Sequence, residues 1–243
     1  MTDDKDIPWK RLTAEGAAIV VSILLAFAID AWWDDRIERN TAREYADNLL
    51  VEVRANINDL EEHVKRHNDK VVAGAELLRL MKNDDLGPSD ERTRALVTSM
   101  VFIDDFRPAT SALDNLLGAG GLGLLENTKL QLAVSQYGQS IYNHNTLQDE
   151  LLEFFFGVFI PFLSERISLL DVDFVHQELS DQLPNSSFQF EPSALANSMQ
   201  FENLVARRVN AEYDAARFAQ RLIESANALV VQLEKMESGG FLQ

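Results

Sequence analysis

Apolar and polar positions divide this chain into one stretch without charge and a long remainder where charge recurs at helical spacing. Residues 16–29, GAAIVVSILLAFAI, are fourteen positions with no ionisable side chain. At 1.5 Å per residue they cover about 21 Å, short of the roughly 30 Å hydrocarbon core of a bilayer. Counted over 12–33 the segment has 22 residues, about 33 Å, which is enough to cross. Trp9 precedes it and Trp32 and Trp33 close it, the places where amphipathic indoles sit at the two membrane–water interfaces. Glu15 and Asp30 fall near the ends, where an intramembrane carboxylate costs least. The pattern predicts a transmembrane helix. A buried helix of a soluble core also suits fourteen neutral residues. A cleaved signal peptide is opposed by the weakly basic start, MTDDKDIPWKR, and by Ala26-Phe27-Ala28 lying inside the apolar run.

Beyond Trp33 apolar residues recur every three or four positions, with neither Gly nor Pro before Gly74. Ile37, Leu49, Val53, Ile57, Leu60, Val64, Val71, Ala75 and Leu78 predict an amphipathic helix over 34–82, ended by the turn-rich run 83–88. Further helices are predicted over 90–102 behind Ser89, to residue 117 behind Thr110 or Ser111, and over 128–157 behind Asn127. Short helices follow over 164–170 and 174–183. A last long helix over 201–236 carries Leu204, Val205, Val209, Tyr213, Phe218, Leu222, Leu229 and Leu233. No run alternates as a strand does. The fold class is therefore all-α: one N-terminal transmembrane helix followed by an extramembrane helical bundle. Its parts are a tail over 1–11, the span over 12–33, an acidic bundle over 34–238 and a tail over 239–243.

Charge narrows the partners. The net charge is −17, and residues 1–33, with three cations against five acids, leave −15 to the remainder. Such a surface argues against nucleic acid, whose phosphates require Lys and Arg. With no cysteine, disulfides, thiolate catalysis and cysteine-held metals are excluded. Ala14, Ala18, Ser22, Ala26 and Asp30 recur every four residues, a stripe of small side chains that allows close approach of another helix in lipid. The run 151–163, LLEFFFGVFIPFL, is the most apolar stretch outside the span. Phe154, Phe155, Phe156, Phe159 and Phe162 read either as bundle core or as a patch facing the bilayer or a partner.

The candidate chemistry is thin. Gly118-Ala-Gly-Gly-Leu-Gly123 spells G-x-G-x-x-G, but a helix rather than a strand precedes it, so it reads as a helix stop and turn. His63 and His67 stand four apart with Asp59 one turn earlier, a spacing that can bring two imidazoles to one ion. Without a third local histidine or the glutamate of H-E-x-x-H, they read as a solvated helix face. His144 and His176 read as surface or capping residues, and Asp84/Asp85 and Asp104/Asp105 as solvated loop acids. No catalytic residue, metal ligand or cofactor is expected.

Three blocks resemble a bacterial family of single-pass membrane proteins. The first is Glu15-Gly16 through IVVSILLAFAIDAWWDDRIER, then Glu44-Tyr45 and Leu49-Leu50. The second is Thr110-Ser-Ala-Leu113, Leu116, Gly120 or Gly121, Leu122, Leu124-Leu125, Asn127, Leu130, Leu132 and Tyr137. The third is Phe201-Glu-Asn-Leu-Val with Arg207-Arg208 and Tyr213. Gly138 stands where that family often doubles the tyrosine. The resemblance implies the single-pass topology and a helical C-terminal domain, and it brings no activity or catalytic residue. The expected role is a non-enzymatic accessory subunit, scaffolding or stabilising a larger membrane complex. Its partners are then the lipid bilayer and other membrane subunits or a second copy. The alternative is an extracytoplasmic sensor working through a separate signalling protein. The expected place is a bacterial inner membrane, with the N-terminus cytoplasmic and the bundle periplasmic.

Overall fold

The computed structural model describes residues 9–83, 91–118, 120–125, 127–172, 179, 182–196 and 198–239. All of the regular structure among them is helical. The helix α1, Trp9–Lys82, runs unbroken for 74 residues, about 110 Å at the helical rise. It contains the apolar segment, whose residues 15–34 are exposed on every side. That segment is long and apolar enough to cross a membrane. Three short elements lead back along α1: α2 (Glu91–Val101), an extended run over 102–110, and α3 (Ser111–Gly118). A 3-10 turn, Gly121–Leu124, then precedes α4 (Thr128–Phe154). After it come a π-helical turn (Phe155–Phe159), α5 (Ile160–Ser164), α6 (Ser193–Ala196) and α7 (Met199–Gly239).

The bundle is built by α1, α4 and α7. Asn56 meets Tyr137 and His63 meets Gln148, so α4 runs parallel to α1. Arg54 meets Glu234 and His67 meets Glu212, so α7 runs antiparallel. Gly74 lets the two long helices close up, since a Cβ there would collide with Val209. The glycine run is a turn, as expected, and a tight one. Gly120 has φ 69°, and a Cβ on Gly121 would lie 2.8 Å from the Leu116 carbonyl oxygen. Asn127 caps α4 by accepting from the Lys129 amide at 2.9 Å. The α3 amides find another partner than the expected local cap. Glu52 of α1 accepts from Ala112 and Leu113 at 2.8 and 3.2 Å. Asn56 pins the extended run by bonding both the amide and the carbonyl of Ala109, at 2.9 and 2.8 Å.

The core has two apolar halves. One, nearer the apolar segment, joins Leu49, Val53, Leu60, Leu130, Tyr137, Ile141, Leu222 and Leu229. The other, at the far end, joins Leu77, Met100, Phe154, Phe155, Phe159, Phe162, Phe201 and Val205. Four of the five phenylalanines considered for a surface patch are thus core, and only Phe156 is exposed. The expected helix over 128–157 loses its α register after Phe154. The π-helical turn rotates Phe155 and Phe159 inward, leaving Phe156 and Val158 outside. The predicted short helix over 174–183 falls largely outside the described residues.

Candidate functional site

Between the two apolar halves lies a polar layer. On α1 the buried register runs Val53, Asn56, Leu60, His63, His67, Lys70, Gly74, Leu77. Following apolar residues alone through Val64 and Val71 slips off this register beyond Leu60, because the core continues through polar side chains. On α4 the same spacing places His144 and Gln148 between Ile141 and Leu151. On α7 it places Arg208 and Glu212 between Val205 and Ala215. His63, His67, His144, Gln148, Arg208 and Glu212 are all fully buried. The solvated face expected for His63 and His67 is therefore wrong, and so is the surface role expected for His144. His176 lies outside the described residues.

The layer is one connected network. Asp104, on the extended run, accepts from His63 Nδ1 at 2.9 Å and from Arg66 Nε at 2.5 Å. His63 Nε2 faces His67 Nε2 at 2.9 Å and Gln148 Nε2 at 2.8 Å. His67 Nδ1 bonds Glu212 Oε2 in turn. Arg208 Nη2 lies 2.6 Å from Glu212 Oε1 and donates to the Phe102 carbonyl at 2.9 Å. The Arg208 guanidinium stacks 4.6 Å above the Phe155 ring, so the π-helical turn supplies its apolar support. His144 Nε2 donates to the Phe106 carbonyl at 3.1 Å. That leaves His144 Nδ1, Gln148 Oε1, Arg208 Nε, Arg208 Nη1 and Glu212 Oε1 buried without hydrogen-bond partners, the Arg208–Glu212 contact being an ion pair without hydrogen-bond alignment.

Burial and charge set the protonation states. Burial lowers the pKa of His67 despite the Glu212 carboxylate beside it, and it lowers that of Lys70 as well. Burial brings His144 down to about 4, helped by the neighbouring His63, His67 and Arg107. For Glu212 burial acts upward, yet the His67 bond and the Arg208 charge leave its carboxyl below the usual range. The same contest holds Asp104 well below its ordinary value, through His63 and Arg66. Burial thus favours neutral imidazoles at His67 and His144, while Asp104 and Glu212 stay ionised. One ligand atom each from His63, His67 and Asp104 lies within 4.8 Å of the others. Asp104 thus belongs to the network, contrary to the solvated loop acid expected from sequence.

The residues singled out along the apolar segment stay apart from this layer. Trp32 and Trp33 are exposed with ring centroids 6.2 Å apart, and Arg36 lies 5.8 Å over Trp32. Ala18, Ser22, Ala26 and Asp30 share an exposed face, where Ser22 Oγ donates to the Ala18 carbonyl at 2.8 Å. Glu15 is exposed one residue beyond Ala14. The side chains of Trp9 and Ala14 lie outside the described residues.

No family model, no curated protein and no solved structure matches this chain. The family likeness therefore rests on the quoted residues alone. Arg208 and Glu212 were legible as charged residues at apolar register positions of the last helix, a signal that reading only hydrophobic residues discards.

Proposed function

We propose that this protein is a membrane-anchored, non-enzymatic accessory subunit, held by the apolar part of α1 and docking on other membrane subunits or on a second copy. The observation that carries the reading is the exposure of that apolar segment on every side over residues 15–34. Nothing in the described chain covers it, so lipid or another helix must. The stripe through Ala18, Ser22 and Ala26 offers the face where another helix approaches closest. In this reading the bundle stands outside a bacterial inner membrane, and the same helix carries both the anchor and the polar layer.

The test is purification of the full chain from its native membrane in mild detergent. Stable co-purifying membrane subunits, or a defined homo-oligomer, are expected. Changing Ala18, Ser22 and Ala26 together to Leu is expected to weaken that association while leaving membrane insertion intact. An isolated monomer, or association unchanged in the triple variant, contradicts the docking role given to this face. A second reading, a sensor bundle acting through a partner, is favoured by one observation. The buried ionisable layer shares α1 with the apolar segment, so in this reading occupancy of the layer would act on the anchor. A monomer whose unfolding temperature rises on adding a small ligand favours that reading.

A further inference from the structure

The Nε2 atoms of His63 and His67 face one another inside the polar layer. Each Nδ1 is turned to a carboxylate oxygen, Asp104 for His63 and Glu212 for His67. A carboxylate oxygen only accepts, so each Nδ1 carries the hydrogen. The two Nε2 atoms lie 2.9 Å apart, with the rings edge to face and their centroids 4.2 Å apart, and Gln148 Nε2 lies 2.8 Å from that of His63. One cation can accept both nitrogens at that separation. Carboxylates on the outer nitrogens of two imidazoles are also the arrangement that orients histidines on a metal ion.

We infer that the polar layer binds one divalent transition-metal ion through His63 Nε2 and His67 Nε2, with the Gln148 carboxamide oxygen as a third donor. Two nitrogens 2.9 Å apart can both lie about 2.05 Å from one ion at an angle near 90°. Opening them to about 3.3 Å gives the tetrahedral angle. Gln148 Oε1 is buried without a partner, and a half-turn of the carboxamide brings it to the side of His63 now taken by Nε2. His63/His67 and His144/Gln148 are i,i+4 pairs on parallel neighbouring helices, the geometry from which sites inside helical bundles are built. Arg208 and Arg66 already neutralise Glu212 and Asp104. The donors toward the ion are therefore imidazole and amide, which select zinc, cobalt or nickel over magnesium or calcium. Entry is over the extended run, where Asp104 and Arg66 reach solvent. The inference is independent of the docking role, since it concerns the bundle core alone.

The test uses the full chain in detergent, stripped with chelator, then titrated with Co²⁺ or Zn²⁺ alone. One equivalent is expected to bind, with a visible Co²⁺ absorption band and a rise in unfolding temperature. His63→Gln and His67→Gln are expected to abolish the band. Asp104→Asn, which removes only an orienting carboxylate, is expected to weaken binding about 10–100-fold. The helical circular dichroism of each variant separates lost binding from lost folding, and the wild-type titration stands without any variant. A wild-type chain that takes up neither ion overturns the inference. Binding equally tight in folded His63→Gln and His67→Gln overturns it too.

Discussion

Replacing Arg208 by Met is expected to destabilise the full chain by about 3–5 kcal/mol, the cost of removing one partner from a buried ion pair. The magnitude follows from what the change strands. Glu212 is fully buried and would keep only its His67 bond, with its carboxylate no longer balanced by the guanidinium. The Phe102 carbonyl would lose its donor, and the Phe155 ring would lose the cation stacked on it. Met keeps much of the volume and apolar contact, so the loss reports charge rather than cavity. Denaturant unfolding in detergent, followed by circular dichroism, measures it. The double variant Arg208→Met, Glu212→Leu is expected to regain much of the loss, because the stranded carboxylate goes too. A single variant within about 0.5 kcal/mol of wild type would mean that the pair is not buried as described.

Acid is expected to loosen the bundle well before carboxylates titrate. His144 has a folded pKa of about 4 against an ordinary 6.5, so between these values the unfolded chain binds a proton that the folded chain refuses. Stability from this group is present above pH 6.5 and falls as pH drops toward 4, by about 3 kcal/mol in all. The neighbouring His67 shifts in the same direction and adds to the loss. The carboxylates Asp104 and Glu212, whose pKa values are depressed, contribute stability that is lost only at lower pH. Unfolding midpoints of chelator-treated protein from pH 7.5 to 4.5 check the sign, and a flat profile or greater stability in acid contradicts it. His144→Gln is expected to flatten part of the slope, since its amide does not titrate.

The membrane-like segment, the long helices and the Asn127 cap could be read from periodicity and local chemistry because each depends on near neighbours in sequence. The polar layer could not be read that way. His63 and His67 gained their buried setting only when Asp104, Gln148 and Glu212 arrived from three other stretches. Taken alone, two histidines on a charged helix look like a solvated face. The i,i+4 pair Arg208 and Glu212 was the most legible clue, since both replace apolar residues in the buried register of α7. The phenylalanine run shows the opposite limit. Its composition left core and surface open, and the π-helical turn decided between them by shifting the register at Phe155. Glu52 capping α3 from α1 is a tertiary replacement for the local cap that Thr110 or Ser111 would have supplied.

If α1 is one rod, lipid-embedded over its first part and water-exposed along the bundle, its two parts must differ in their access to water. The chain has no cysteine of its own, so single cysteines can be placed along that rod and probed in native membranes with a water-soluble maleimide. Leu24, Phe27, Val51 and Val72 are all exposed on the protein itself, so any difference in labelling reports the surroundings. Cysteines at 51 and 72 are expected to label readily once the reagent reaches their side of the membrane. Cysteines at 24 and 27 are expected to label only after detergent solubilisation or unfolding. Labelling at 24 and 27 in intact membranes as fast as at 51 and 72 would contradict a lipid-embedded segment.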